Sequence, residues 1–220
     1  MGIPLRSAVV LAGGKSSRMG GDKGLVILNG KPIIAHVLER IRLVVDEVII
    51  VIGSDAQREA YISFGDRVIA DRLPCGSPLV GAYTGLSEAR GEYTFLTGGD
   101  QPLIDPRVVE LLFAEVRGHD AATPYWPNGW VEPLHSVYRS RQAANAALTL
   151  IESGEKRLRL ILDTLPDVVR VPVDKMKSID PELRSLMDVD TSEELESIRL
   201  LIEKGGKRGT PDPFKKGTIR

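Results

Sequence analysis

The stretch Ala8–Lys31, AVVLAGGKSSRMGGDKGLVILNGK, decides how the rest of the chain is read. Its first residues, Ala8-Val9-Val10-Leu11, form a short apolar run with the β-branched content of a buried strand. The run breaks at Gly13-Gly14, continues through Lys15-Ser16-Ser17-Arg18-Met19, and meets a second glycine pair, Gly20-Gly21, before Asp22-Lys23. Paired glycines after a strand let backbone N–H groups come close to an anion, because no Cβ stands in the way. Lys15, Arg18 and Lys23 place three cations in the same loop. Such a loop suits a polyphosphate, although Gly-Gly-Lys alone reads equally well as a solvated surface turn.

Two familiar phosphate loops are excluded. A P-loop requires a glycine separated by four residues from the Gly14-Lys15-Ser16 run, and that position is Val9, inside the strand. A dinucleotide fingerprint requires Gly-x-Gly-x-x-Gly, which this loop lacks. The spacing follows a third pattern. Leu11 to Gly20 (Leu-Ala-Gly-Gly-x-Ser-x-Arg-Met-Gly), then Asp22-Lys23, then Leu28 to Pro32 (Leu-x-Gly-Lys-Pro), resembles the signature of the molybdenum cofactor guanylyltransferases and their nucleotidylyltransferase relatives.

Composition agrees with an ordinary α/β domain. The chain has 220 residues, 42% hydrophobic and 27% charged, with a formal net charge of −1. No overall field draws it to nucleic acid or to an anionic membrane. The single cysteine, Cys75, excludes an internal disulfide and fits a reducing cytoplasm. No signal peptide is read at the N-terminus, and no apolar run approaches the ~20 residues of a membrane span. One domain is expected over residues 1–204, followed by a mobile basic tail over 205–220.

Outward from the loop, Pro32 is expected at the first position of a helix running to about residue 44. Strands are expected at Glu47–Ile52 and Arg67–Ala70, with a short helix around Gln57–Ile62 between them. This alternation predicts a doubly wound, mostly parallel sheet. A helix is expected from Pro78 to about Arg90 and a strand at Tyr93–Thr97. Asp105-Pro106 caps a helix to about Val116. Asp120–Pro124 and Val131–Tyr138 read as strands joined by a hairpin over Tyr125–Trp130, which adds an antiparallel edge. The two tryptophans of that hairpin read as packing rather than as a stacking surface. A helix over Gln142–Ser153, a short helix over Leu158–Leu162 and a strand over Val168–Val171 follow. Thr191 and Glu194 form a capping box for a last helix.

Asp100 follows Gly98-Gly99 at the carboxyl end of an expected strand, where open α/β sheets bind ligands. A carboxylate there, beside substrate phosphates, is the ligand set Mg²⁺ prefers, so Asp100 reads as a metal ligand.

The resemblance extends over roughly Ala8 to Ile202. It includes Ser77 to Gly81, Glu132-Pro133-Leu134 through Tyr138, and the Gly154 to Arg157 run. It implies a Rossmann-like nucleotidyltransferase fold and the transfer of GMP from GTP to molybdopterin cofactor, with release of pyrophosphate. Leu11, Ala12, Gly13 and Gly14 would hold the nucleotide through their backbone. Arg18 and Lys23, with Lys15, would neutralise triphosphate charge. Asp71 would sit near the nucleotide, Asp190 would be a second Mg²⁺ ligand, and Lys156 and Arg157 would meet the second substrate's phosphate. The implied partners are GTP, molybdopterin cofactor, and cofactor-synthesis or apo-molybdoenzyme proteins. Nothing points to nucleic acid or membrane.

Some residues depart from the family pattern. Ile52-Gly53-Ser54 lacks the amide that often serves guanine, and Asp100-Gln101-Pro102 and Asp188-Val189-Asp190 look closer to the cytidylyltransferases for the same cofactor. Ala12-Gly13-Gly14 argues for guanine. A transferase for another phosphorylated acceptor (a sugar phosphate, cobinamide phosphate or phospholactate) and a non-catalytic nucleotide sensor stay open as alternatives.

Overall fold

Every residue of Glu47–Ile52 (EVIIVI) is buried, which is possible only for a strand covered on both faces of its sheet. In a computed structural model, which describes residues 5–13, 15–16, 21–64, 67–73 and 76–207, that strand lies inside a seven-stranded sheet. Its strands are Arg6–Leu11 (β1), Glu47–Ile52 (β2), Arg67–Ala70 (β3), Tyr93–Gly98 (β4), Ala121–Tyr125 (β5), His135–Arg139 (β6) and Val168–Pro172 (β7). The spatial order is β7-β5-β6-β4-β1-β2-β3. Every neighbouring pair is parallel except those of β6, which runs antiparallel to both β4 and β5. The antiparallel part is therefore a strand inserted third from one edge.

The chain winds from β1 to β2 and β3 on one side, then crosses to β4 on the other, so the order reverses between β1 and β4. Alternate strand residues feed two cores. Ala8, Val10, Ile50 and Phe95 meet helices Ile33–Ile41 (α1) and Pro106–Glu115 (α4) on one face, where Tyr61 of the short helix Arg58–Tyr61 (α2) joins them. Val9, Ile49, Val51 and Leu96 meet Pro78–Glu88 (α3) and Ser140–Glu152 (α5) on the other. A smaller cluster of Leu28, Ile33, Leu103, Val189 and Ile198 ties the C-terminal helix Ser192–Lys207 back to the start of α1.

Several boundaries differ from the sequence reading. α1 begins at Ile33, because Pro32 pairs with Ile27 in a short antiparallel ladder closed by Asn29 (φ 47°) and Gly30 (φ 84°). Positive φ at both turn residues is the hairpin geometry for which Asn-Gly is suited. α1 also ends at Ile41, not near residue 44. The returning strand expected from Val131 starts only at His135; Val131 makes one isolated bridge to Tyr125. Pro133 has no N–H to give a ladder, and the Glu132 carboxylate accepts the Leu134 N–H at 3.2 Å. Trp130 stands exposed near the hairpin tip instead of packing. The last helix carries the backbone to Lys207, three residues into the expected tail; residues 208–220 and Cys75 lie outside the described residues. The caps at Asp105 and at Thr191–Glu194 form as read, with Arg107 N–H on Asp105 at 2.9 Å and Glu194 N–H on Thr191 at 3.2 Å.

Candidate functional site

A cleft of about 720 Å³ opens over the carboxyl ends of β1, β2 and β4. Its floor is knitted by backbone bonds that extend the strands: Ala12 N–H donates to Val51 O at 2.7 Å and Gly99 N–H to Leu11 O at 2.8 Å. Leu11, Ala12 and Gly13 line it, facing Gly98, Gly99 and Asp100 from the next strand. This is the topological switch point, where the diverging loops leave a crevice. Gly13 has φ +82°, and a Cβ there would lie 2.6 Å from the Gln57 amide. The positive φ favours glycine, and any Cβ there would have to displace the Gln57 amide from Gly13 O.

Gln57 explains how the loop is held. Its Nε2 donates to Gly13 O at 3.2 Å and to Asp22 Oδ2 at 2.9 Å. The other Asp22 oxygen accepts the buried Tyr61 hydroxyl and, at 3.3 Å, the Gly24 N–H. Asp22 is thus fixed from both sides, and Lys23 follows it into the cleft. The main chain supports this with a short antiparallel ladder between Lys15–Ser16 and Gly21–Asp22.

The Lys23 ammonium lies between two carboxylates, hydrogen-bonded to Asp190 and 3.6 Å from Asp100 Oδ2. Burial works to lower the lysine pKa, but the bond to Asp190 and the charges of Asp100 and Asp188 outweigh it and raise the pKa. Burial pushes the Asp100 carboxyl above the usual range; Lys23 opposes this, while Asp188 and Asp190 reinforce it. Asp188 is raised too, by burial and by Asp190. Glu132 is raised by burial, with Asp188 and Asp100 contributing. Asp100, Asp188 and Asp190 thus share the field of one lysine, and Glu132 feels that cluster through Asp188 and Asp100.

Among the described residues no three His, Cys, Asp or Glu side chains converge on a single point as a ready-made metal cage. Asp100 in the cleft and Asp190 beside it do offer hard carboxylate oxygens, both within reach of the Lys23 ammonium. A carboxylate pair completed by substrate phosphates is a donor set that fits Mg²⁺.

Asp71, just past β3, also lines the cleft. Its Oδ1 is buried with no hydrogen-bond partner among the described residues, and burial raises its pKa to about 6. The oxygen lies 3.6 Å from where a Cβ on Gly81 would stand, at the opening of α3.

Of the residues singled out in the sequence, Leu11, Ala12, Gly13, Lys23, Asp71 and Asp100 line one cleft, and Asp190 reaches it through Lys23. Gly14, Arg18 and the side chain of Lys15 lie outside the described residues. Lys156 and Arg157 are exposed and do not line the cleft; Arg157 pairs with Glu155 at 3.0 Å. Sequence reasoning missed Gln57 and Tyr61. They are four positions apart on one short helical segment, but nothing local links them to a loop some 40 residues earlier.

A glycine loop facing the half-buried Asp100 at the switch point of a doubly wound sheet is the arrangement α/β nucleotide-binding proteins use. The chain belongs to the family described as the MobA-like NTP transferase domain, whose model matches residues 8–168. It is 39% identical over 201 residues to a probable molybdenum cofactor guanylyltransferase of Methanosarcina mazei, covering 88% of this chain and 89% of that protein. It is 35% identical to a protein of the same description from Natronomonas pharaonis, covering 88% and 96%. Among solved structures it is similar to molybdopterin-guanine dinucleotide biosynthesis protein A from Archaeoglobus fulgidus, with a TM-score of 0.78, 28% identity, and coverage of 91% and 100%.

Proposed function

We propose that this chain moves GMP from GTP onto the terminal phosphate of molybdopterin cofactor, releasing pyrophosphate and forming the guanine dinucleotide. A phosphate oxygen of the pterin attacks the α-phosphorus, the bond from that phosphorus to the bridging β-oxygen breaks, and pyrophosphate departs with the electron pair. The attacking phosphate is already an anion, so no general base is required. Alignment and charge neutralisation carry the rate.

The observation that carries the reading is the facing of Leu11–Gly13 and Lys23 by Asp100 across the switch point. It occurs in a chain 39% identical, over most of its length, to a protein described as a guanylyltransferase. In this reading the backbone of Leu11 to Gly14 cradles the nucleotide, and Lys15, Arg18 and Lys23 offset the triphosphate charge. Asp71 approaches the nucleoside from the α3 side. Asp100 and Asp190 would hold Mg²⁺, which supplies positive charge against the phosphates when bound. A nucleoside triphosphate substrate and a single cysteine support a cytoplasmic setting, with no helix among the described residues long and apolar enough to cross a membrane.

The test is pyrophosphate release with Mg²⁺, molybdopterin cofactor and each nucleoside triphosphate in turn. Release with GTP is expected, reduced about 10²-fold or more by Asp100→Ala. Release with CTP instead would overturn the assignment to guanine. Release with none would move the acceptor elsewhere.

A further inference from the structure

His135 on β6 is fully buried and stands edge-on to Phe95, with ring centroids 5.0 Å apart. Both ring nitrogens are engaged, each by a different part of the chain. Nδ1 lies 3.3 Å from Gln101 Oε1, and Nε2 lies 3.2 Å from Ser185 Oγ. Gln101 Oε1 can only accept, so Nδ1 carries the proton and Nε2 is bare. Nε2 then accepts the Ser185 hydroxyl hydrogen, while Ser185 Oγ accepts the Asp105 N–H at 2.9 Å. The second lone pair of Gln101 Oε1 takes the Thr97 hydroxyl at 2.7 Å. The Ser185 N–H is held by Asp180 at 2.7 Å. Both ring nitrogens, both hydroxyls and Gln101 Oε1 have partners, and a network so engaged favours one geometry.

The two partners have telling neighbours. Gln101 follows Asp100, and Ser185 stands just ahead of Asp188-Val189-Asp190. The two runs touch directly where Val189 N–H donates to Asp100 O at 3.0 Å, and their acids close on Lys23. The inserted antiparallel strand brings the imidazole between them.

We propose that His135 is a positioning residue, a neutral strut that joins the Asp100 turn to the Asp188–Asp190 segment and sets the spacing of the two carboxylates in the cleft. One rigid ring that donates at one nitrogen and accepts at the other spans both partners; no aliphatic side chain does so. Burial lowers the ring's pKa to about 3, which keeps it in the neutral form the strut needs. The catalytic part of the inference rests on the proposed transferase reading; the bridge itself does not.

The test compares wild type with Ser185→Ala, His135→Asn and His135→Leu in two measurements. The first is hydrogen exchange at the Val189 amide, and the second is steady-state pyrophosphate release with GTP. Ser185→Ala keeps the core intact and guards against a His135→Leu variant that fails to fold. Ser185→Ala and His135→Leu are each expected to speed Val189 exchange at least tenfold and to lower kcat at least tenfold, with KM for GTP within twofold of wild type. His135→Asn, which retains a donor toward Gln101, falls between wild type and His135→Leu. The double variant carrying both Ser185→Ala and His135→Leu is expected to be no worse than His135→Leu alone. Unchanged Val189 exchange and kcat in a folded Ser185→Ala protein would overturn the strut, as would fully additive losses in the double variant. A wild type with no transferase activity but with the expected exchange pattern would count against the functional reading and leave the bridge standing.

Discussion

Asp71 holds a buried carboxylate oxygen that no described group satisfies. Its folded pKa is raised from 3.8 to about 6 by burial, so between those values the folded state binds more protons than the unfolded one. Stability from this group is therefore greatest below the unfolded pKa and is lost as pH rises through about 6. Asp71→Asn removes the loss. In thermal melts without ligand, the variant's Tm relative to wild type should be more favourable at pH 7.5 than at pH 4, and an equal difference at both would contradict the assignment. Gln57 makes a different kind of contribution, with one amide nitrogen serving both Gly13 O and Asp22. Gln57→Ala should raise KM for GTP about tenfold, or ~1.4 kcal/mol of binding, with kcat little altered. An unchanged KM would mean that the loop keeps its shape without the bridge.

At the scale of elements, the close approach of α3 to the sheet depends on Gly85. A Cβ there would lie 2.3 Å from Val9 Cγ1 and 3.1 Å from Val51 Cγ2, both on buried β-branched side chains with no room to turn away. Gly85→Ala should cost about 1–3 kcal/mol in urea unfolding, more than its gain in helix propensity returns. A variant as stable as wild type would show that α3 can shift outward. The same scale shows what local pattern can and cannot reveal. EVIIVI announces itself as a central strand, and Asp105-Pro106 and Thr191-x-x-Glu194 as helix starts, because each is decided by residues within one turn of itself. The Asn29-Gly30 hairpin was also locally legible, but Pro32 suggests a helix start so strongly that it hides the ladder ahead of it.

At the scale of the molecule, the fold follows from alternation of strand and helix, while the site follows from which loops the winding brings together. The glycine loop and Asp100 were readable separately, because each sits at a strand's carboxyl end. The meeting of Lys23 with Asp190, 167 positions apart, was not readable from local pattern. It depends on the small apolar cluster of Leu28, Ile33, Leu103, Val189 and Ile198, which folds the C-terminal segment back over the start of the chain. His135 was invisible for the same reason, since its two partners lie 34 positions before it and 50 positions after it.

The central claim is that this one cleft activates the α-phosphorus of a nucleoside triphosphate toward a phosphorylated pterin. The most direct measurement follows radiolabel from GTP carrying ³²P at the α or at the γ position, with molybdopterin cofactor and Mg²⁺, in wild type and in Asp100→Asn. The account predicts α-label in the dinucleotide product and γ-label in pyrophosphate, with both transfers suppressed in the variant. Label from the γ position in the pterin product, or transfer that survives loss of the Asp100 carboxylate, would contradict it.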